Sequence, residues 1–167
     1  MHPPLFRETQ YAGMAWLILF AVGLVVPAGL LLLARFCAGR RDRRSAVFVL
    51  VPTALGMFAV CAAIALFYGV MTTEVTPTEI DVQFGWLSGH AEVIPIAEVH
   101  KVEGTHYDAM GEYRGWGIRG RGPNDRALTQ TGDRGVRLYL GGEKMLLIGS
   151  QRPEELAQAI EKARGEQ

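Results

Sequence analysis

Two long charge-free runs constrain this chain more than anything else in it. Residues 11–34 are 24 consecutive residues without a charged side chain, and residues 46–71 are 26 more. At about 1.5 Å per residue each run makes a helix longer than the roughly 30 Å hydrocarbon core of a bilayer. Soluble helices of that length carry a polar face, and these have none. The pattern predicts two transmembrane helices joined by an arginine-rich loop, residues 35–45. Pro27 and Pro52 fall inside the runs, where lipid leaves the backbone no alternative to a bent helix. Tyr11, Trp16 and Tyr68 lie at the ends away from that loop, where amphipathic rings sit at headgroup level.

The loop holds Arg35, Arg40, Arg41, Arg43 and Arg44 against Asp42, whereas the other ends offer Arg7 alone before Lys101. Short arginine-rich loops stay in the cytoplasm. The N-terminal tail, residues 1–10, and everything after residue 71 are therefore expected outside it. The first run is too long for the core of a cleaved signal peptide. A loop this short forces the helices into an antiparallel hairpin. Ala59/Ala63 and Ala65/Gly69 are two pairs of small residues that would let helix backbones approach closely. Neither run carries a charge, which argues against a transporter.

Residues 72–167 read as a separate, self-folding domain. Residues 79–84 alternate strictly, with Ile80, Val82 and Phe84 on one side and Glu79, Asp81 and Gln83 on the other, as a half-buried antiparallel strand does. Further short strands are expected at 72–76, 90–94, 99–107, 115–119, 127–131, 136–140 and 145–148, with Gly141-Gly142 as a hairpin turn. Then the period changes. Pro153, Glu154 and Glu155 suit a first helical turn, and Leu156, Ala159, Ile160 and Ala163 make one apolar face, so a helix is expected over 153–164. One helix cannot cover both faces of a flat sheet. The fold class expected is thus a membrane helical hairpin plus a bent α+β domain, a barrel of about seven antiparallel strands closed by one C-terminal helix.

Four stretches resemble a known pattern: Phe6-Arg7-Glu8-Thr9-Gln10, residues 113–119 (YRGWGIR), residues 132–136 (GDRGV) and residues 147–156 (LIGSQRPEEL). Together they resemble an uncharacterised bacterial family of small two-helix membrane proteins with a C-terminal bacterial pleckstrin-homology-like domain. The resemblance implies that fold and a bacterial plasma (inner) membrane location. The family has no assigned reaction, so it implies no catalytic residues. Leu128 stands where the pattern has tyrosine. The family's β-half is often taken as cytoplasmic, whereas the arginine count of this sequence puts it outside.

Candidate chemistry is sparse. There are 17 basic and 17 acidic residues, so the net charge of zero argues against a nucleic-acid binder. The two cysteines, Cys37 and Cys61, make neither a disulfide scaffold nor a zinc motif. His90, His100 and His106 lack the i, i+2 spacing of a metal pair on a strand, even with Glu92, Glu98 or Glu103 nearby. Ser150 lacks a nucleophile elbow and suits a helix cap instead. The glycines 115, 117, 120 and 122 precede no helix, so they are not a phosphate loop; Trp116 and Ile118 between them point to one face, and Trp116 is expected in the core rather than as a ligand platform. No cofactor is expected, and no enzyme.

Charge is segregated along the chain instead. Residues 74–112 hold eight acidic groups and one basic, while residues 113–144 hold seven basic and three acidic. Arg114, Arg119, Arg121, Arg126, Arg134 and Arg137 are candidate contacts for anionic groups or an acidic partner, unless they pair with the acidic half of their own domain. The function expected is a membrane-anchored interaction module, with the bilayer and a membrane or membrane-surface protein as partners. The alternative is an accessory subunit of a membrane complex held through the hairpin, with Ala59, Ala63, Ala65 and Gly69 as its packing residues.

Overall fold

The computed structural model describes residues 3–37, 40–86 and 91–165. Its first element is a strand where a tail was expected. β1 (Phe6–Tyr11) pairs antiparallel with β2 (Val70–Val75), from Phe6 opposite Val75 to Tyr11 opposite Val70. Between these two neighbours, the described residues from Gly13 to Tyr68 are helical. α1 (Gly13–Phe20), a π-helical turn (Ala21–Val25) and α2 (Val26–Cys37) run on from one another, and α3 (Arg40–Tyr68) returns. The arginine-rich residues expected as a loop are largely helical, at the end of α2 and the start of α3; the side chains of residues 33–47 and of Trp16 lie outside the described set. The helices are thus an insertion between two adjacent strands.

Proline chemistry shapes the helices. Pro27 has no N–H to donate to the carbonyl of Gly23, and the backbone before it takes the wider π-helical turn. Gly23 sits there against Cys61, whose Cβ would lie 3.1 Å from any Cβ added at that position. The close approach between the helical runs therefore comes from Gly23, not from Ala59 and Ala63, which are exposed. Ala65 and Gly69 are buried, and Gly69 N–H donates to Ala65 O at 2.8 Å. Among the described residues, the helix Phe48–Tyr68 is long and apolar enough to cross a membrane.

Two sheets follow. β1, β2, β3 (Glu79–Phe84) and β4 (Ala91–Pro95) form the first in chain order. The second has the order β5-β8-β9-β7-β6, from β5 (Val99–His106), β6 (Gly117–Gly122), β7 (Asp125–Thr129), β8 (Arg134–Leu140) and β9 (Lys144–Gly149). β9 slots between β8 and β7 and runs parallel to β7. The sheets are therefore not wholly antiparallel, and they do not close into a barrel. The described strands number nine, against about seven expected. α5 (Pro153–Gly165) takes the place expected for the C-terminal helix.

One core joins both sheets and α5. Ile80, Val82 and Phe84 from the first sheet meet Leu128, Leu138 and Ile148 from the second and Leu156 and Ile160 from α5. Val70 and Met71 are fully buried too, and Phe6 is nearly so. These three lie outside residues 72–167, so the β-domain has its boundary in the wrong place if it begins at Thr72.

β1 escapes a pattern search because two of its three inward residues are polar. Phe6, Glu8 and Gln10 point in, and Arg7, Thr9 and Tyr11 point out. Glu8 is 6% exposed, and burying a carboxylate is costly unless it is well bonded. The turn before α5 supplies the bonds. Ser150 Oγ donates to Glu8 Oε2 at 2.6 Å and Gln151 N–H donates to Glu8 Oε1 at 2.9 Å. Gln10 Nε2 donates to Gly149 O at 2.8 Å. Arg152 donates to Arg7 O at 2.8 Å and stacks 4.9 Å from the centre of the Phe6 ring. Ser150 also accepts from Arg152 N–H at 3.0 Å, just ahead of the helix it was expected to cap.

Two predictions follow from this clamp. Glu8→Ala leaves the Ser150 hydroxyl and the Gln151 N–H unsatisfied in the interior, and should lower stability by about 2 kcal/mol in denaturant unfolding. Ala12 N–H donates to Gly69 O at 3.1 Å, so the ends of the insertion are neighbours. A chain with residues 3–12 joined to residues 69–165 by a short glycine-containing turn should unfold cooperatively on heating. Residues 72–165 alone should not, because they lack β1 and the start of β2.

Candidate functional site

The six arginines do not make one patch. Arg126 Nη1 pairs with Glu92 Oε1 at 2.7 Å, across 34 residues of sequence. Arg121 reaches Glu112 at 3.3 Å and Asp125 at 3.7 Å, and Arg137 lies 4.0 Å from the same Glu112. Arg134 lies 3.9 Å from Glu154. Each such exposed pair contributes about 0–1 kcal/mol. Their larger effect is on charge: four of the arginines are answered by acidic residues of their own domain. Arg114 and Arg119 have no acidic partner among the described residues.

Those two sit on a short structure that was not expected from the sequence. α4 (Ala109–Tyr113) is a single turn started by Asp108, whose Oδ1 accepts from Met110 N–H at 3.0 Å and Gly111 N–H at 2.9 Å. Arg114 ends it in the left-handed region (φ 60°), where a non-glycine residue is uncommon. Gly115 and Gly117 follow with φ of 130° and 98°. The chain thereby turns sharply into β6, an edge strand, and presents Trp116 outward at 43% exposure. Trp116 is therefore a surface residue rather than the core residue expected, and Ile118 is exposed with it. The indole N–H of Trp116 points at Gly132 O, 3.4 Å away, and Arg119 Nε donates to Trp116 O at 3.0 Å.

This turn faces the base of the helices. Between them lies a cavity of about 750 Å³, walled by Ile18 and Ile64 from the helical runs, by Tyr68 at the end of α3, and by Arg114, Trp116 and Arg119. Among the described residues no acidic side chain lines it. The walls keep their places because the β-domain caps α3. The last carbonyls of a helix have no partner within it. Here Leu66 O accepts from Trp86 N–H at 3.0 Å, Tyr68 O from Gln130 Nε2 at 2.7 Å, and Gly69 O from Ala12 N–H at 3.1 Å. Gly85 (φ 73°) passes so close that an added Cβ would collide with the carbonyls of Leu66 and Phe67. The helix enters the β-domain with no linker.

The sequence separated the pieces of this cavity by as much as a hundred residues, and only the glycine-rich run with its tryptophan and arginines hinted at one side of it. The remaining candidates lie apart. His106 Nδ1 is 3.9 Å from Asp133, and the backbone carbonyl of His100 accepts from Arg164 at 2.7 Å. His90 lies outside the described residues. Among the described residues no three histidine, cysteine, aspartate or glutamate side chains converge as a metal site would require. No protein-family model matches the chain, and no curated protein matches it.

Behind the turn, a small second core of Tyr107, Ala109, Tyr113, Ala127 and Leu147 supports α4 on the outer face of the second sheet. Tyr107 is 4% exposed and its hydroxyl has no hydrogen-bond partner among the described residues. Burial, with the Asp133 carboxylate, pushes its phenol up to about 12. Tyr113 is raised as well, by burial and by Asp125, whose Oδ1 accepts its hydroxyl at 3.1 Å. An unfolded phenol ionises near pH 10. The neutral ring thus favours the folded chain fully below about pH 10, and that contribution is lost as pH rises through 12. Two pH units correspond to about 3 kcal/mol at most. Tyr107→Phe should leave stability at pH 7 unchanged or slightly higher, and should flatten the loss measured by denaturant titration between about pH 10 and 12.

Proposed function

We propose that this protein is a two-pass membrane protein whose β-domain rests on the bilayer surface as a non-enzymatic interaction module, binding a partner protein or anionic groups there. The observation that carries the reading is the pairing of β1 with β2 across the helical insertion. Paired strands lie on one side of a membrane. If α3 crosses, α1 and α2 must cross as well, because the chain has to come back to β1. The 25 residues from Gly13 to Cys37 make about 37 Å of helix, long enough to do so. Tyr11 and Tyr68 flank the two points of entry and are both exposed, as headgroup-level rings are. The arginines of residues 35–44 belong at the far end, in the cytoplasm, which sets the β-domain outside it. The order of strands followed by one helix supports kinship with the pleckstrin-homology-like domains, although the parallel β7–β9 pair departs from an all-antiparallel barrel.

A second reading rests on a different observation. Ala59 and Ala63 are exposed on α3, one turn apart, beside the exposed Leu55 and Phe58. A helix of another membrane protein could pack closely there. The chain would then be an accessory subunit held by its helices, and would still co-purify with its complex after the β-domain is removed.

Cysteine labelling tests the topology. In a Cys37→Ser, Cys61→Ser background, an impermeant thiol reagent added to intact cells should label Pro4→Cys and Gly141→Cys and spare Ser45→Cys. Different results for Pro4→Cys and Gly141→Cys would sink the two-pass reading. Labelling of Ser45→Cys alone would reverse its orientation.

A further inference from the structure

We infer that the cavity between the helical base and β6 holds one anionic phospholipid drawn from the protein's own bilayer. The inference rests on the membrane reading above and adds the ligand and its site. Three features of the cavity converge on that chemistry. The first is its depth. Ile64 is one turn from the end of α3, about 6 Å from Tyr68, and Ile18 is a similar distance inside the start of α1. The lower wall is therefore at the boundary between headgroups and acyl chains. The second is charge. Among the described residues, Arg114 and Arg119 are the two arginines of the group without an acidic partner, and no carboxylate lines the cavity to compete for them. Arg119 uses Nε on the Trp116 carbonyl, which leaves both of its terminal nitrogens to donate. A guanidinium fork matches a phosphodiester in geometry as well as charge. The third is the pairing of this cationic rim with apolar walls. Ile18, Ile64 and the Trp116 ring suit glycerol and the first methylenes of a chain, and they would repel a free phosphate's hydration shell.

A volume of about 750 Å³ lies within the range of small-molecule sites, roughly 300–1,000 Å³. It suits a headgroup with the upper part of its chains, the rest lying in the bilayer. Because Tyr68 O and Gly69 O are tied to Gln130 and Ala12, a lipid seated there would touch both the helices and the β-domain.

Native mass spectrometry of the full chain, reconstituted in nanodiscs of mixed phosphatidylcholine and phosphatidylglycerol, tests this. The wild-type chain should retain phosphatidylglycerol in preference to phosphatidylcholine. The Arg114→Asn/Arg119→Gln variant, with asparagine chosen because it tolerates the left-handed backbone, should lose about tenfold of that preference, as removal of charge-assisted bonds implies. Arg119→Gln alone should lose part of it, and serves if the double variant does not fold. Arg121→Gln/Arg126→Gln removes as many charges elsewhere and should retain lipid as the wild type does. Equal retention of the two lipids by the wild type, or an undiminished preference in the arginine 114/119 variants, overturns the inference. So does displacement of phosphatidylglycerol by inorganic phosphate, which would mark a site for a free anion. Carbonate extraction of the same membranes separates the two readings. A chain that stays embedded without lipid preference defeats the lipid site alone, whereas an extracted chain defeats the membrane reading beneath it.

Discussion

The pairing of β1 with β2 is the constraint on which the rest of this structure depends. It closes a segment of nearly sixty residues, an entropic cost of about 3–4 kcal/mol for a flexible chain of that length. Rigid helices inside the segment reduce that cost, and the β1 clamp offsets it. The clamp also sets register. A slip of one residue in β1 would turn Arg7 and Thr9 inward and take Glu8 and Gln10 away from Gly149, Ser150 and Gln151. Apolar residues on that face would tolerate several alignments. Two polar ones with directed hydrogen bonds tolerate one. The buried Glu8 therefore makes the join specific in a way that more hydrophobic surface would not.

Much of the β-domain was legible in the sequence, for definite physical reasons. β3 alternates cleanly because one of its faces is wet. α5 shows its apolar stripe because it lies on a core with its other side in water. β1 was hidden by polar inward residues, which no pattern of hydrophobicity can find. α4 is a single turn, too short for a period to show. The parallel β7–β9 pair has no local signal at all, since both strands look like any short buried strand. Trp116 read as core because strands usually bury such a ring; here the entry to an edge strand turns it, with Ile118, toward the helices instead. The resemblance stretches gain a physical meaning in the fold. Phe6–Gln10 is bound by residues 149–152, and Trp116 lies beside Gly132, so the four stretches reduce to two contacts that hold the domain together.

The charge pattern carries a related lesson. Acidic residues dominate one half of the β-domain's sequence and arginines the other, which on paper suggests two faces of opposite sign. Folding interleaves them. β4 brings Glu92 to Arg126, and α4 brings Glu112 to Arg121 and Arg137. The sequence order of charges predicts which groups are available to pair, while only the strand order says which are left over. The two left over, Arg114 and Arg119, are on the turn that faces the helices.

The clamp has a further meaning for how such a chain is made. β1 leaves the ribosome before the helices, its partner β2 emerges after them, and the residues that bind Glu8 come later still. The sheet can close only if both sides of the insertion arrive in the same compartment. A chain in which a single helical run had entered the bilayer would strand β1 on the opposite face from β2, with Phe6 exposed and Glu8 unmatched. On the two-pass reading proposed above, completion of the β-domain is a built-in report on membrane insertion: correctly threaded chains lock, and misthreaded ones stay open to proteolysis.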